Sequence, residues 1–589
     1  MILQALASYY EALKQKGKIS PPGWSAAKVT FALLLAEDGT LQGIQGLKYL
    51  PEGAKREVPQ VMDVPEQVKK TSGVASNFLC ENSSYFLGID AKGKPERSRQ
   101  CFEAARALHK TLLAGVDSPA ARAVTAFFDT WSVEDAAQHP VIAPLYDELT
   151  AGANLIFSVN GVYAQNDAAI AEKWEKNKTE SGGAREEICL VTGERAPIAR
   201  LHASIKGVKG AQSSGAALVS FNVAALESYG KEMSDDTGQG YNAPVSEKAA
   251  FAYTTALNYL LADRKHVQHI GDTTVVYWAE DADERAQDVF GFSLFGPSSD
   301  DVITDDDLEG VLKAMAQGGP LYLKGLPLKP QNKFYVLGLA PNAARLSVRF
   351  FLQDTFGGML QHIQRHYDAL KIIKPAYEKF ELLPLWRLLN ETVNQKSKDK
   401  SASPPMAGAV LRSILTGDDY PASLFENVML RIRAEQEITY GRASILKAYF
   451  LRNRSIHLPE EVLEVQLNEE TTYMPYVLGR LFSVYVEIQE AANPGINTTI
   501  KDKYFNSAAA TPGVIFPVLI ALAEKHLKKL EKGRKTHYEI MLVDLWGRFE
   551  EDLPKRMAVE DQGTFYLGYY YQTQKRYTKK DHKEEEENG

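Results

Sequence analysis

The chain has 589 residues, 44% hydrophobic and 24% charged, with a formal net charge of −8 and a pI near 5.9. That length exceeds one hydrophobic core, so about two to four domains are expected. The acidity excludes a globally basic nucleic-acid binder, leaving such contacts to local patches or to a larger assembly.

The N-terminus lacks a basic n-region, and Ile2, Leu6, Tyr9 and Leu13 recur at helical spacing. An amphipathic first helix is therefore expected, not a signal peptide. No apolar run approaches the roughly eighteen residues of a membrane span, so no membrane partner is expected. After Pro21, Pro22 and Gly23, residues 28–36 read as a strand, Asp38-Gly39 as a tight turn and 40–45 as the partner strand. Residues 85–89 read as a strand, and 97–114, 118–130 and 142–150 as helices. Another strand is expected at 154–159, and the polar, glycine-containing stretch 175–187 reads as a loop or domain junction. Residues 246–262 read as a helix capped by Ser246. The clearest strand is 273–279, Thr-Thr-Val-Val-Tyr-Trp-Ala, rich in β-branched and aromatic residues. Thr304 and the acids 305–307 open a helix, and 333–352 read as two strands around Pro341-Asn342.

From about residue 354 helical periodicity takes over. Val477, Leu481, Val484 and Ile488 share one helix face, and Phe516, Ile520, Ala523, Leu527 and Leu530 share another. Prolines 404, 405, 421, 512, 517 and 554 separate or start helices, and 394–405 is linker-like. The fold class is α+β: a mixed α/β N-terminal and central region with antiparallel strands, followed by a C-terminal helical bundle. The expected domains are 1–180, 181–353 and 354–578, with the charge run 579–589 a disordered tail.

The candidate chemistry is sparse. Three cysteines, Cys80, Cys101 and Cys189, support neither a disulfide framework nor a zinc spacing, which suits a reducing cytoplasm. His362 and His366 stand i, i+4 without the glutamate of a metalloprotease signature, and no metal or cofactor is expected. Asp272 and Glu280 flank the strand 273–279, roughly 26 Å apart at about 3.3 Å per residue, too far to share a metal site. No catalytic residue is assigned. The stretch 189–222 stands out instead. It is basic through Arg195, Arg200, Lys206 and Lys209, jointed at Gly207, Gly210 and Gly215, and polar at Gln212, Ser213 and Ser214. Glycines let backbone N–H groups approach an anion, lysines add point charges, and a glutamine amide suits a base edge. It reads as a nucleic-acid-contacting loop that lacks the Gly-Lys-Ser/Thr ending of a nucleotide-hydrolysing P-loop. Two more basic patches follow: Lys69 and Lys70 ahead of Ser76 and Asn77, and Lys525, Lys528, Lys529 and Lys532 on one face of a helix. Phe78, Tyr85, Phe221 and Tyr229 lie near the first two patches.

Read as whole segments, the chain resembles the large subunit of the type I-C CRISPR interference complex, Cascade (the Csd family of Cas proteins). The resemblance is carried by Met-Ile-Leu-Gln-Ala-Leu at 1–6, by 77–90 and 92–95, by Cys-Leu-Val-Thr-Gly-Glu at 189–194, and by 197–202 and 205–216. It continues through Ser-Phe-Asn at 220–222, Asn-Ala-Pro-Val-Ser at 242–246, 249–258, Gly-Asp-Thr-Thr at 271–274, 561–563 and Leu-Gly-Tyr-Tyr at 567–570. The resemblance implies a non-catalytic, cytoplasmic subunit of an RNA-guided antiviral DNA-binding assembly. Its expected partners are crRNA, target double-stranded DNA, the backbone and crRNA-processing Cas subunits, and the CRISPR helicase–nuclease. It implies recognition of the protospacer-adjacent motif (PAM), duplex opening, R-loop formation and a hold on the displaced strand. It also implies a small subunit made from the C-terminal region, with Met406, Met429 and Met474 the candidate starts. On this reading Lys69, Lys70, Ser76, Asn77, Lys206, Lys209, Gln212, Ser213 and Asn222 contact DNA near the PAM, and Lys525, Lys528, Lys529 and Lys532 hold the displaced strand. The alternatives are a metal-dependent nuclease using Asp272 or Glu280, and a purely structural crRNA-binding scaffold.

Overall fold

The computed structural model describes residues 1–50, 56–67, 74–91, 94–179, 185–221, 226, 241–297, 303–378, 382–398 and 400–588, with backbone alone for 178–179 and 578–588. The chain forms two compact units, one of Met1–Ser204 and Ala217–Leu257, the other of Ile205–Ala216 and Asn258–Gly589. Neither 180/181 nor 353/354 divides them.

In the first unit the opening helix, Ile2–Gln15, buries Leu6, Tyr9 and Leu13 as its spacing requires, together with Ala5 and Tyr10. Residues 28–36 are not one strand. Trp24–Val29 pairs with Val58–Pro65, while Phe31–Leu35 pairs antiparallel with Leu41–Gly46 and parallel with Asn154–Val159. The apolar run is continuous because two strands in two sheets follow each other with only Thr30 between them. The Asp38-Gly39 turn holds: Thr40 N–H donates to Asp38 Oδ1 at 2.9 Å. Gly39 has φ of +87°, and a Cβ there would lie 2.4 Å from Phe127 N, so only glycine fits.

The strand expected at 85–89 is absent. Cys80–Asn82 is the strand, and Ser83–Phe86 is a helical turn capped by Asn82, whose Oδ1 accepts from Ser84 N–H at 3.0 Å. The cap satisfies an orphan donor, and that local bond overrides the β-propensity of the apolar run. Helices Pro95–Leu113 and Pro119–Thr130 form as expected, the latter capped by Ser118. Helix Ala168–Thr179 reaches into the stretch read as a loop from 175. Helix Glu247–Ala262 starts after Ser246, whose Oγ accepts from Ala249 N–H at 3.2 Å.

The second unit is built on an antiparallel sheet ordered Val267–Ile270, Thr273–Ala279, Lys333–Asn342, Arg345–Thr355. Every residue of the strand Thr273–Ala279 is buried. The hairpin turn falls at 343–344, with Ala343 at positive φ, so Pro341 and Asn342 remain inside the strand. Thr304 and Asp307 close a reciprocal capping box at the helix Asp305–Ala316. The helical region shares one continuous core with the sheet, from Val275 and Phe334 through Leu360 and Val410 to Phe482 and Tyr571. The linker-like stretch 394–405 therefore separates no units; it leads into the helix Pro404–Thr416. Pro517 lies within the helix Pro512–Leu527, while Pro404 and Pro512 do start helices. The last helix, Val559–Asn588, runs through the charge run read as a disordered tail. Among the described residues no helix is long and apolar enough to cross a membrane.

Candidate nucleic-acid interface

Residues 205–216 make a closed Ω-loop, compact because its ends meet and its own side chains fill it. Ile205 and Ala216 exchange two backbone hydrogen bonds of 2.9 Å, and Ile205, Val208 and Ala216 are buried. Gly207, Gly210 and Gly215 have φ of +88°, +79° and +103°. A Cβ at Gly207 would lie 3.2 Å from Leu261 O, and one at Gly210 would lie 3.3 Å from Pro341 Cγ. The glycines thus let the loop turn tightly and pack closely on Leu261 and Pro341 within the second unit.

The backbone is pinned rather than free. Lys206 N–H donates to Asn258 Oδ1 at 2.8 Å and Lys209 N–H to Thr274 Oγ1 at 3.0 Å. Ala211 N–H donates to Val208 O at 3.1 Å, and Gly215 N–H to Gln212 O at 2.9 Å. These four donors are spent on the protein, so the expected cradle of backbone N–H groups gives way to side chains on a fixed frame. Lys206, Lys209, Gln212, Ser213 and Ser214 are all exposed. His269 stands beside the loop; partial burial and then the nearby Lys209 ammonium push its imidazole below the ordinary histidine range. Sequence reasoning missed Asn258 and Thr274 as anchors. The signal was present: both end segments that carried the family resemblance.

The start of the stretch 189–222 is structural. Cys189 N–H donates to Glu194 O and Gly193 N–H to Cys189 O, both at 2.8 Å, closing a tight turn. The buried Cys189 Sγ accepts from Ser246 N–H at 3.2 Å and Val191 N–H at 3.4 Å. Asn222 lies outside the described residues, as do Lys69, Lys70 and Tyr229.

Asn77 is buried, and its amide is committed. Asn77 Nδ2 donates to Glu81 Oε1 at 2.8 Å, and the backbone N–H groups of Asn77 and Asn82 also reach that carboxylate, at 3.3 and 2.9 Å. Glu81 is itself 3% exposed, and these donors offset the cost of burying its charge. Ser76 Oγ donates to Asn77 O at 3.0 Å. Phe78 stacks on Trp174 at 5.4 Å and Tyr85 is buried, so both serve the core.

The third patch is not one helix face. The helix Pro512–Leu527 ends before Lys528, and Lys532 begins the next helix, Lys532–Trp546. The four lysines therefore ring a helix–helix corner, all exposed. Lys529 Nζ is held by Asn493 Oδ1 at 2.7 Å. The apolar period continues from Phe516 to Leu530 across the break, which hid it.

The carboxylates of the strand 273–279 are each engaged separately. Asp272 Oδ2 accepts from Arg349 Nη2 at 2.7 Å, and Glu280 Oε1 from Tyr335 Oη at 3.0 Å and Lys333 Nζ at 3.3 Å. Asp281 bonds Lys329 at 2.9 Å, and Asp283 bonds Arg285. Among the described residues no three of His, Cys, Asp and Glu stand together as a metal site. His366 is fully buried against the Tyr420 hydroxyl, while His362 is half-buried with Nε2 3.7 Å from Asp354 Oδ2.

Two α+β units, the second carrying exposed lysines on a pinned loop and on a helical corner, define a large protein with local basic surfaces on an acidic chain. The family model described as CRISPR-associated protein (Cas_Csd1) matches residues 6–577, and the chain belongs to that family. A search of curated proteins finds no match.

Proposed function

We propose that the chain is the non-catalytic large subunit of a type I-C Cascade, an RNA-guided antiviral DNA-surveillance complex. Guide pairing reads the target sequence, and protein reads the PAM and the backbone. On this reading the chain recognises the PAM in double-stranded DNA, promotes duplex opening and R-loop formation, stabilises the displaced strand and helps recruit the helicase–nuclease. It works beside crRNA and the backbone and crRNA-processing Cas subunits. The observation that carries the reading is the loop 205–216. It presents two lysines and a glutamine on a frame whose backbone is tied to Asn258 and Thr274. Such a frame positions charge without paying the ordering entropy of a flexible loop. Lys206 and Lys209 take phosphates, and Gln212 reaches the base edges. Lys525, Lys528 and Lys532, with the anchored Lys529, hold the displaced strand at the helical corner.

The test uses the assembled complex on PAM-containing duplex. Lys206→Ala with Lys209→Ala weakens binding and makes the log–log salt dependence shallower by about two, one step per lost phosphate contact. Unchanged affinity and slope would refute the assignment. A small subunit made from Met474 completes the reading, because that residue opens the helix Met474–Ala492. Met406 and Met429 instead lie inside helices, buried in the core.

A further inference from the structure

A cavity of about 350 Å³ opens in the second unit beside the loop's anchor point. Its walls are the start of the strand Thr273–Ala279, the strand Arg345–Thr355 and the helix Pro404–Thr416. Asp272, Thr273, Arg349, Phe350, Gly408 and Arg412 supply its chemistry. Thr273 adjoins Thr274, the residue that bonds Lys209 N–H. Successive strand residues point to opposite faces, so the cavity and the loop lie on opposite sides of the sheet at the same end of one strand.

Three features specify what the cavity accepts. First, its charge is positive: two guanidinium groups face one carboxylate. Arg349 is steadied on the wall by Asp272 at 2.7 Å, whereas the exposed Arg412 guanidinium has no hydrogen-bond or ion-pair partner among the described residues. Pro404 and Pro405 carry no backbone N–H, so the helix start adds few donors and anion recognition falls on the arginines. Second, Phe350 offers an aromatic ring, backed by Gly338, where a Cβ would lie 2.5 Å from it. Third, the space is kept open by a glycine in mid-helix. A Cβ at Gly408 would meet no atom within 4 Å. Glycine is a poorer helix former than alanine, so its place here is not explained by helix propensity. The volume lies at the small end of ligand sites, roughly 300–1,000 Å³, enough for one nucleotide and too little for a duplex.

We propose that this cavity receives a single nucleotide unstacked from the DNA duplex that the lysine loop holds. Arg349 and Arg412 take its phosphate as planar donors, and Phe350 takes the face of its base. Capture of one extruded nucleotide offsets the cost of breaking a stacked pair, which is the first step of opening a duplex. The inference rests on the loop 205–216 being a duplex contact.

The experiment places 2-aminopurine at successive positions beside the PAM in the target duplex and follows its emission in the assembled complex. Emission rises several-fold at one position, where the base leaves the stack. Gly408→Phe fills the cavity from a position with room for a side chain and removes that rise. It leaves affinity unchanged for a PAM duplex that has no complementarity to the crRNA. Arg412→Ala lowers the rise at the same position. The proposal is overturned if no position brightens, or if Gly408→Phe assembles normally and the rise persists. Free deoxyadenosine monophosphate binding the purified chain with no brightening in the complex would also overturn it, in favour of a free-nucleotide site. The lysine variants separate the two readings. If Lys206→Ala with Lys209→Ala leaves duplex affinity intact while Gly408→Phe abolishes the rise, the loop assignment fails and the cavity stands.

Discussion

His266 and His366 are both buried in the second unit, yet the groups around them favour opposite charge states. Burial alone would push the His266 imidazole down, but Asp263 at 2.6 Å and Asp288 at 2.9 Å outweigh it and raise the pKa to about 9. Both ring nitrogens meet carboxylates, so the ring is a doubly protonated cation. For His366 burial dominates, the Arg452 guanidinium adds to it, and the pKa falls to about 3. The signs follow from linkage. The His266 contribution is complete below the ordinary 6.5 and is lost as pH rises through 9. The His366 contribution is complete above 6.5 and is lost as pH falls toward 3. Urea midpoints of the second unit's transition should therefore fall on both sides of 6.5. His266→Gln should flatten the slope on the alkaline side and His366→Gln the slope on the acid side; unaltered slopes would contradict the assignments. At the loop, Gly210→Ala forces a side chain into φ of +79° against Pro341, at about 1–2 kcal/mol. Duplex affinity should drop with no change of charge, while Ser214→Ala at the exposed tip changes nothing. Equal affinity for both variants would show that the pinned backbone is irrelevant. Lys206, Lys209 and Gln212 were legible in the sequence as exposed groups because glycines and short polar residues surround them. That Asn77 is spent on Glu81 was not, since a buried carboxylate four residues away looks like any surface acid.

The helices Met474–Ala492 and Val559–Asn588 meet backbone to backbone. A Cβ at Gly479 would lie 2.0 Å from Phe565 O, and one at Gly568 would lie 2.0 Å from Tyr476 O. Around this crossing Arg480 Nε donates to Gln572 Oε1 at 3.1 Å and Ser483 Oγ meets Thr573 Oγ1 at 2.9 Å. The Leu-Gly-Tyr-Tyr segment at 567–570, a mark of the family resemblance, is thus a packing device. Gly479→Ala or Gly568→Ala should lower stability by about 1–3 kcal/mol, the usual cost of overpacking, or by more because backbone rather than side chain is in the way. Gly533→Ala, with open space around it, should instead stabilise its helix by up to about 1 kcal/mol. Thermal melts of the three variants check the order, and a loss at Gly533 equal to that at Gly568 would contradict it. Elements were legible where pattern and cap agreed: the strand 273–279, the helix after Thr304 and the helix after Ser246. They were misread where a local bond decided the outcome, as at Asn82, or where an apolar period ran on through a turn, as at 528–531.

The shift from strand to helical pattern near residue 354 is real, but it marks no boundary between units. Sheet and helices bury one another's apolar faces, and such contacts join residues hundreds of positions apart, which periodicity cannot display. The segment 205–216 makes the same point. The chain on either side belongs to the first unit, while the loop belongs to the second. The C-terminal five helices are different, because most of their core is internal. Met474–Ala492 packs against Ile500–Ala510, Pro512–Leu527, Lys532–Trp546 and Val559–Asn588, with Phe482, Phe505, Phe516 and Tyr569 between them. A chain begun at Met474 keeps each of these helices whole. One begun at Met429 cuts the helix Ala422–Glu435 in two and leaves buried Val428 without its neighbours. Residues 474–589 expressed alone should therefore give a helical, cooperatively melting domain. What it loses is the cover of one face of the last helix, where Tyr570 Oη donates to Ile373 O at 2.8 Å and Gly563 packs on Phe450. That aromatic face makes the freed piece prone to pair with another apolar surface. Circular dichroism and sedimentation of 474–589 beside 429–589 decide the matter. An unfolded 474–589, or a 429–589 that is the better folded of the two, would show that these helices depend on the rest of the unit.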